Sequence, residues 1–249
     1  TLGIPTNEFD RINLGLDIRN TDFNIGPTAS TEIDEFIDEN GDEFLDFPLS
    51  ASWSHDSRNT TIFPTRGGRQ SISAEITVPG SDLTYYKLSY KNRHYFPLAK
   101  AMTLSLNADL GYGDTYGDLG TFPFFENYFG GGVRTVRGYE TASLGPREEF
   151  GDQDPLGGNM KVVGNAELIF PPPIDGFKDT ARLGLFFDIG NVFDTSDSDF
   201  EFDELRTSVG VSASWLSPIG ALTVSFAQPL NDQSGDDTET FQFNLGSNF

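Results

Sequence analysis

The chain has 249 residues, a formal charge of −22 and no cysteine, so it fits one large domain or two small ones without disulfides or thiolate metal sites. Its acidity argues against nucleic-acid binding, which needs a basic footprint, and its two histidines, His55 and His94, are too far apart in sequence to suggest a His-based metal or catalytic centre. No apolar run is long enough for a transmembrane helix, while 23 Phe, 27 Gly and abundant Asn, Asp and Ser point to strands and turns. No signal-peptide pattern is seen, and the abrupt opening on residues 1–4, before the turn-like residues 5–10, reads as a piece of something longer.

In chain order, Ile12, Leu14, Leu16 and Ile18 alternate with polar residues, which predicts a strand with one apolar face. An acidic loop follows over residues 22–43. Its carboxylates from Asp38 to Glu43 superficially resemble a calcium loop, but the spacing misses the twelve-residue pattern, and a solvated loop is the better reading. The next strands carry Phe47, Leu49, Ala51 and Trp53, with Pro48 loosening the start, and then Ile72, Ala74, Ile76 and Val78. Tyr86, Leu88, Tyr90 and Phe96 mark another. The cleanest runs from Met102 through Leu104, Leu106, Ala108 and Leu110 to Tyr112.

Beyond a long glycine-rich stretch, Val162, Ala166, Leu168 and Phe170 alternate with Lys161, Asn165 and Glu167. Leu183, Leu185, Phe187 and Ile189 then oppose Gly184, Phe186, Asp188 and Gly190. Val209 to Trp215, Leu222 to Phe226, and Phe241, Phe243, Leu245 and Phe249 complete the series. Ten full strands and a remnant at residues 1–4 are expected.

An all-β chain of this kind is either a soluble sandwich, whose apolar faces meet, or a transmembrane barrel, whose apolar faces meet lipid while the polar parity lines a lumen. Strands of about 9–11 residues match the span of a tilted strand. Aromatics at strand ends (Tyr112, Phe170, Trp215, Phe249) suit interfacial girdles. Short connections at 5–10, 57–68, 97–100, 171–180 and 217–220 alternate with longer ones at 22–43, 113–159, 192–205 and 229–238; the 79–84 connection is unusually short for that second set. Together these select an antiparallel transmembrane β-barrel. The negative charge then falls mainly on the long outer loops, where it would bridge divalent cations to lipid headgroups or answer a salty habitat.

The stretch from Phe129 to Tyr139 stands apart. Three consecutive glycines permit close backbone approach, and Arg134 and Arg137 bring cations into an acidic chain. Either this is a glycine-rich turn with incidental charge, or it is a loop that folds back onto something acidic.

Residues 127–139 (Asn-Tyr-Phe-Gly-Gly-Gly-Val-Arg-Thr-Val-Arg-Gly-Tyr), with Leu144-Gly-Pro146, resemble the signature loop of the BamA family, the central barrels of the bacterial outer-membrane protein assembly machine. The similarity extends through Gly157-Gly-Asn159, Phe187-Asp-Ile-Gly-Asn-Val-Phe193 and Trp215-Leu-Ser-Pro-Ile-Gly220. It continues into Phe226-Ala-Gln-Pro229 and Phe241-Gln-Phe-Asn-Leu-Gly246. Upstream, Thr77 to Asp82 and Tyr85-Tyr-Lys87 also fit.

The resemblance implies a sixteen-stranded barrel preceded by periplasmic POTRA domains, with residues 1–249 as the C-terminal portion and the POTRA domains and first strands outside them. It implies that loop 113–159 folds toward the lumen, where Val136, Arg137, Gly138 and Tyr139 form a plug motif whose arginine pairs with Glu167 and Asp188. Alternation alone already puts both acids on the lumen side. Strand 240–249 is implied to form one side of a laterally opening seam, with Phe241, Phe243, Leu245, Gly246 and Phe249 as gate and sorting signal. The function implied is non-enzymatic insertion of β-barrel proteins into the bacterial outer membrane, without cofactor or metal. Its implied partners are unfolded outer-membrane proteins, accessory lipoproteins held mainly through POTRA domains, and outer-membrane lipid with lipopolysaccharide. A passive pore or two-partner secretion barrel is the alternative. An outer-membrane protease or phospholipase would need a partner motif that His55 and His94 lack.

Overall fold

A computed structural model describes residues 1–26, 30–148, 153–196, 200–217 and 220–246. In chain order the first elements are β1 (Leu2–Pro5), β2 (Asp10–Leu16), β3 (Arg19–Asp22), α1 (Thr31–Asn40), β4 (Glu43–Asp46) and β5 (Pro48–Asp56). There follow β6 (Gly67–Thr77), β7 (Tyr85–Ala99), β8 (Met102–Thr115), the two-residue β9 (Gly138–Tyr139), β10 (Met160–Phe170) and β11 (Ala181–Phe193). The chain continues through β12 (Arg206–Ser217), β13 (Gly220–Pro229), the two-residue β14 (Thr238–Glu239) and β15 (Phe241–Leu245).

Eleven of these strands make one antiparallel sheet in the order β1-β2-β5-β6-β7-β8-β10-β11-β12-β13-β15. Every neighbour in that order is the next long strand along the chain, the up-and-down connectivity of a barrel wall. The expected ten strands and N-terminal remnant are all present. The sheet does not close: β1 and β15 are its edges among the described residues.

The wall is inside-out relative to a soluble sheet. Along β12, Val209, Val211 and Trp215 are exposed whereas Ser208 and Ser212 are buried, and along β2 Leu16 remains 67% exposed. Large apolar groups standing in a row on the open face would be a severe aggregation liability in water. They are the expected outer surface of a wall that meets lipid. The two longest strands run well past the length needed to cross: β7 has 15 residues and β8 has 14. Their excess extends past the apolar band at the long-loop end, where Tyr85 pairs with Thr115 and packs into a cap above the wall.

That cap corrects one expectation. The acidic stretch 22–43 is not only a solvated loop: it contains α1, a ten-residue helix on top of the β3–β4 hairpin. Ser30 caps it by accepting from the Ile33 N–H at 3.2 Å, and Ile33, Phe36 and Ile37 fall at the i, i+3, i+4 spacing that aligns them on one face. Phe36 is buried with Phe44, Leu83, Tyr85 and Phe122, and Phe23, Phe124 and Phe125 pack around them. The carboxylates Asp34, Glu35, Asp38 and Glu39 occupy the exposed side.

Candidate functional site: the lumen plug and the last strand

The connection between β8 and β10 returns to the polar side of the wall as an irregular hairpin, with isolated bridges pairing Tyr128 with Gly158 and Gly130 with Leu144. The glycine triplet does what its composition suggests: Gly131 and Gly132 take positive φ, and a Cβ on Gly131 would meet the Glu140 carbonyl oxygen at 2.2 Å. One flank of this plug is held at Glu126, whose carboxylate binds Arg19 at 2.5 Å and Lys87 at 2.9 Å. Tyr128 lies close over the wall at Gly111, where a side chain would strike its ring.

At the far end sit the four motif residues. Val136 and Tyr139 are fully buried and pack with Leu144 and Val163. Arg137 meets Asp188 of β11 through two parallel bonds, Nε to Oδ2 at 2.7 Å and Nη2 to Oδ1 at 2.8 Å. Its backbone N–H donates to the same carboxylate at 3.1 Å. Glu167 of β10 stands second, 3.4 Å from Nη1; its other oxygen accepts from Ser212 at 2.5 Å. The expected pairing of Arg137 with both acids is therefore present. Asp188 is 0% exposed and carries the closer, two-pronged contact, so it is the main counter-charge.

Burial alone would weaken the Arg137 charge, but the Asp188 bond and the two nearby carboxylates outweigh it and hold the guanidinium above its ordinary range. Burial also pushes the Tyr139 phenol up to about 12.

Two contributors are not evident from the alternation. Phe186, a lone aromatic on the polar parity of β11, lies beneath the guanidinium, 3.4 Å from ring centroid to Arg137 Cζ. A face-on arginine is a favourable partner for an aromatic ring. Gln242, on the inward face of β15, reaches the plug backbone from the other side. Its Nε2 donates to the Tyr139 carbonyl at 2.7 Å and its Oε1 accepts from the Gly138 N–H at 3.3 Å. The side-chain amide thus acts as a substitute peptide group, and β14 adds two backbone-paired residues beside it, Thr238 opposite Tyr139 and Glu239 opposite Gly138. The plug is fastened to the wall at Asp188 and to the last strand at Gln242.

Of the predicted last-strand residues, Phe241, Phe243 and Leu245 are exposed on the outer face, while Gln242 between them is 3% exposed. Gly246 has φ +138, and its N–H still donates to the Ala221 carbonyl at 2.8 Å. Phe249 lies outside the described residues. Among the described residues β15 pairs with β13 over five positions, Phe226 with Phe241 through Leu222 with Leu245.

His55 does acquire an acidic neighbour, with Nδ1 2.8 Å from Asp10 Oδ1, stacked beside Trp53. No nucleophilic hydroxyl is among its contacts in the described residues. Among those residues no three of His, Asp and Glu gather into a metal-binding group.

The geometry accords with known proteins. The whole chain, residues 1–249, matches the Omp85 superfamily domain. It is 36% identical to the outer membrane protein assembly factor BamA of Neisseria meningitidis, over all of this chain and 35% of that protein. It is 29% identical to a sorting and assembly machinery component 50 homolog of Xenopus tropicalis, over 81% of this chain and 46% of that protein. It superposes on the crystal structure of BamA from Haemophilus ducreyi lacking POTRA domains 1–3 with a TM-score of 0.85 and 28% identity, covering 97% of this chain and 52% of that one. The chain thus spans about a third of the length of its meningococcal relative. Its sheet is a stretch of outer-membrane β-barrel wall, and the chain belongs to the Omp85 superfamily.

Proposed function

We propose that the protein this chain is part of inserts β-barrel proteins into the bacterial outer membrane, without covalent chemistry, by offering a barrel seam as a template for incoming strands. The observation that carries this reading is the double fastening of one four-residue motif. Arg137 anchors it to the wall at Asp188, and Gly138 and Tyr139 are held by Gln242 of the last strand. A plug bonded both to the wall and to the last strand gives a seam that must open and re-register a direct link to the lumen. An open strand edge presents unpaired N–H and C=O groups, which is sufficient to recruit another strand. Unfolded outer-membrane proteins are the substrates on this reading. Accessory lipoproteins bound through POTRA domains, together with outer-membrane lipid and lipopolysaccharide, are the partners.

The test uses the full-length gene in cells depleted of their own copy. Arg137→Glu and Asp188→Arg are each expected to abolish porin assembly and the heat-dependent gel shift of the barrel, and the double charge swap to restore a measurable part of both. Normal porin levels in both single variants would make the plug dispensable and favour the passive pore.

A further inference from the structure

Beneath the plug, toward the short-turn end of the wall, lies a cavity of about 590 Å³. Its roof is Val133, Arg134 and Arg137, and its far end is formed by the connections that hold Phe63 to Arg66, Lys100 and Lys178. In a chain with 38 acidic and 16 basic residues, six lysines and arginines line it besides Arg137: Arg66, Arg93, Lys100, Arg134, Lys178 and Arg182. Among the described residues Glu167 is the one carboxylate in the lining, and it is engaged by Arg137 and Ser212.

Several of these cations are not neutralised locally. Among the described residues Arg66, Lys100 and Arg134 make no ion pair. Arg182 is held in place by uncharged partners, donating to the Lys178 and Ala181 carbonyls and lying over the Phe63 ring at 4.5 Å. Ser225 also faces the cavity, and its buried hydroxyl has no hydrogen-bond partner among the described residues. A concave site with low-dielectric walls and charge of one sign focuses its field on an incoming counter-ion.

We propose that this cavity is an anion-binding vestibule that receives carboxylate-rich segments of an incoming barrel polypeptide, an inference that rests on the insertase reading above. The long-loop end of this wall shows the cargo such a protein would handle: between Asp22 and Asp46 the chain carries nine carboxylates. Loops of that composition on a substrate barrel must pass to the same side of the membrane. A basic lumen would hold them while their flanking strands pair at the seam. Lys178 is paired with Asp175 at 2.6 Å, which leaves Arg66, Lys100 and Arg134 as the cations that face an incoming anion; a lipid phosphate suits them equally well in charge, but the cavity opens on the polar side of the wall, opposite the apolar face where acyl chains lie.

The experiment is equilibrium binding to the full-length protein in nanodiscs. The probe is a fluorescent synthetic peptide with the sequence of residues 31–46, compared with the same peptide carrying Asn and Gln for every Asp and Glu. The acidic peptide is expected to bind at least about tenfold tighter than the neutral one, and to weaken by a similar factor with added salt or in Lys100→Gln/Arg134→Gln. Arg134→Lys should restore the affinity lost in Arg134→Gln. Equal binding of the two peptides, or salt-insensitive binding, overturns the inference whether or not a variant folds. So does binding of inorganic phosphate or phosphatidylglycerol vesicles by a protein that ignores the peptide. Binding is read apart from porin assembly. A protein that assembles porins but binds neither peptide defeats this inference alone; one that binds the acidic peptide but assembles nothing defeats the insertase reading alone.

Discussion

Arg137 and its neighbours work through two different physical effects. The guanidinium is bonded at two points to a carboxylate that no water reaches, so removing either partner strands a buried charge and costs about 3–5 kcal/mol. Its fork matches the carboxylate in a way a lysine ammonium cannot. Gly138 matters for its backbone. It takes φ +93, and an added Cβ would stand 3.2 Å from the Ala227 Cβ and 3.3 Å from Pro229. Gly138→Ala is therefore expected to destabilise the plug by about 1–2 kcal/mol from the left-handed backbone alone, more if β13 cannot give way. The check is faster hydrogen exchange of the Val136–Tyr139 amides in the full-length protein, with the heat-dependent gel shift of the barrel preserved. Unchanged exchange would mean that the turn relaxes into another conformation at no cost.

Among elements, α1 shows where reading the sequence stops short. Alternation with period two identifies every long strand of the wall, because each strand has one face to lipid and one to the lumen. It also puts Glu167 and Asp188 on the inner face with no help from packing. The helix was hidden by its own charge: the carboxylates between Glu32 and Asp42 read as a solvated loop, although Ser30, Ile33, Phe36 and Ile37 already spell a cap and an apolar stripe. Phe186 and Gln242 were hidden for another reason. Parity says which way they point, but only the returning loop says what they meet. The helix can be tested apart from the barrel. Ser30→Ala removes one cap bond, worth about 1 kcal/mol, and Phe36→Ala empties the cap cluster at about 3–5 kcal/mol. Both should speed proteolysis within residues 31–43, the second far more, while leaving the heat-dependent gel shift of the barrel unchanged. If Phe36→Ala abolishes that shift, the cap is part of the folding core and not an outer attachment.

For the whole molecule, the bonds between the plug and the last strand set how far the two move together. Among the described residues the β13–β15 ladder registers Phe226 with Phe241 through Leu222 with Leu245, and backbone bonds from Ala227 to Thr240 and from Gly246 to Ala221 extend it at either end. Gln242 ties β15 to the plug, since its side chain bonds both Gly138 and Tyr139. Gln242→Ala is expected to raise exchange along residues 241–245 and, less directly, at Val136–Tyr139. Arg137→Lys should loosen the same four residues from the opposite side. Both contacts grip one turn, so their effects on exchange free energy in the full-length protein should not add. Coupling on the order of 0.5–3 kcal/mol is expected for residues sharing a partner in this way. Strict additivity would show that plug and last strand move independently. The seam would then have to open without any signal from the lumen, and the double fastening of the motif would be structural reinforcement alone.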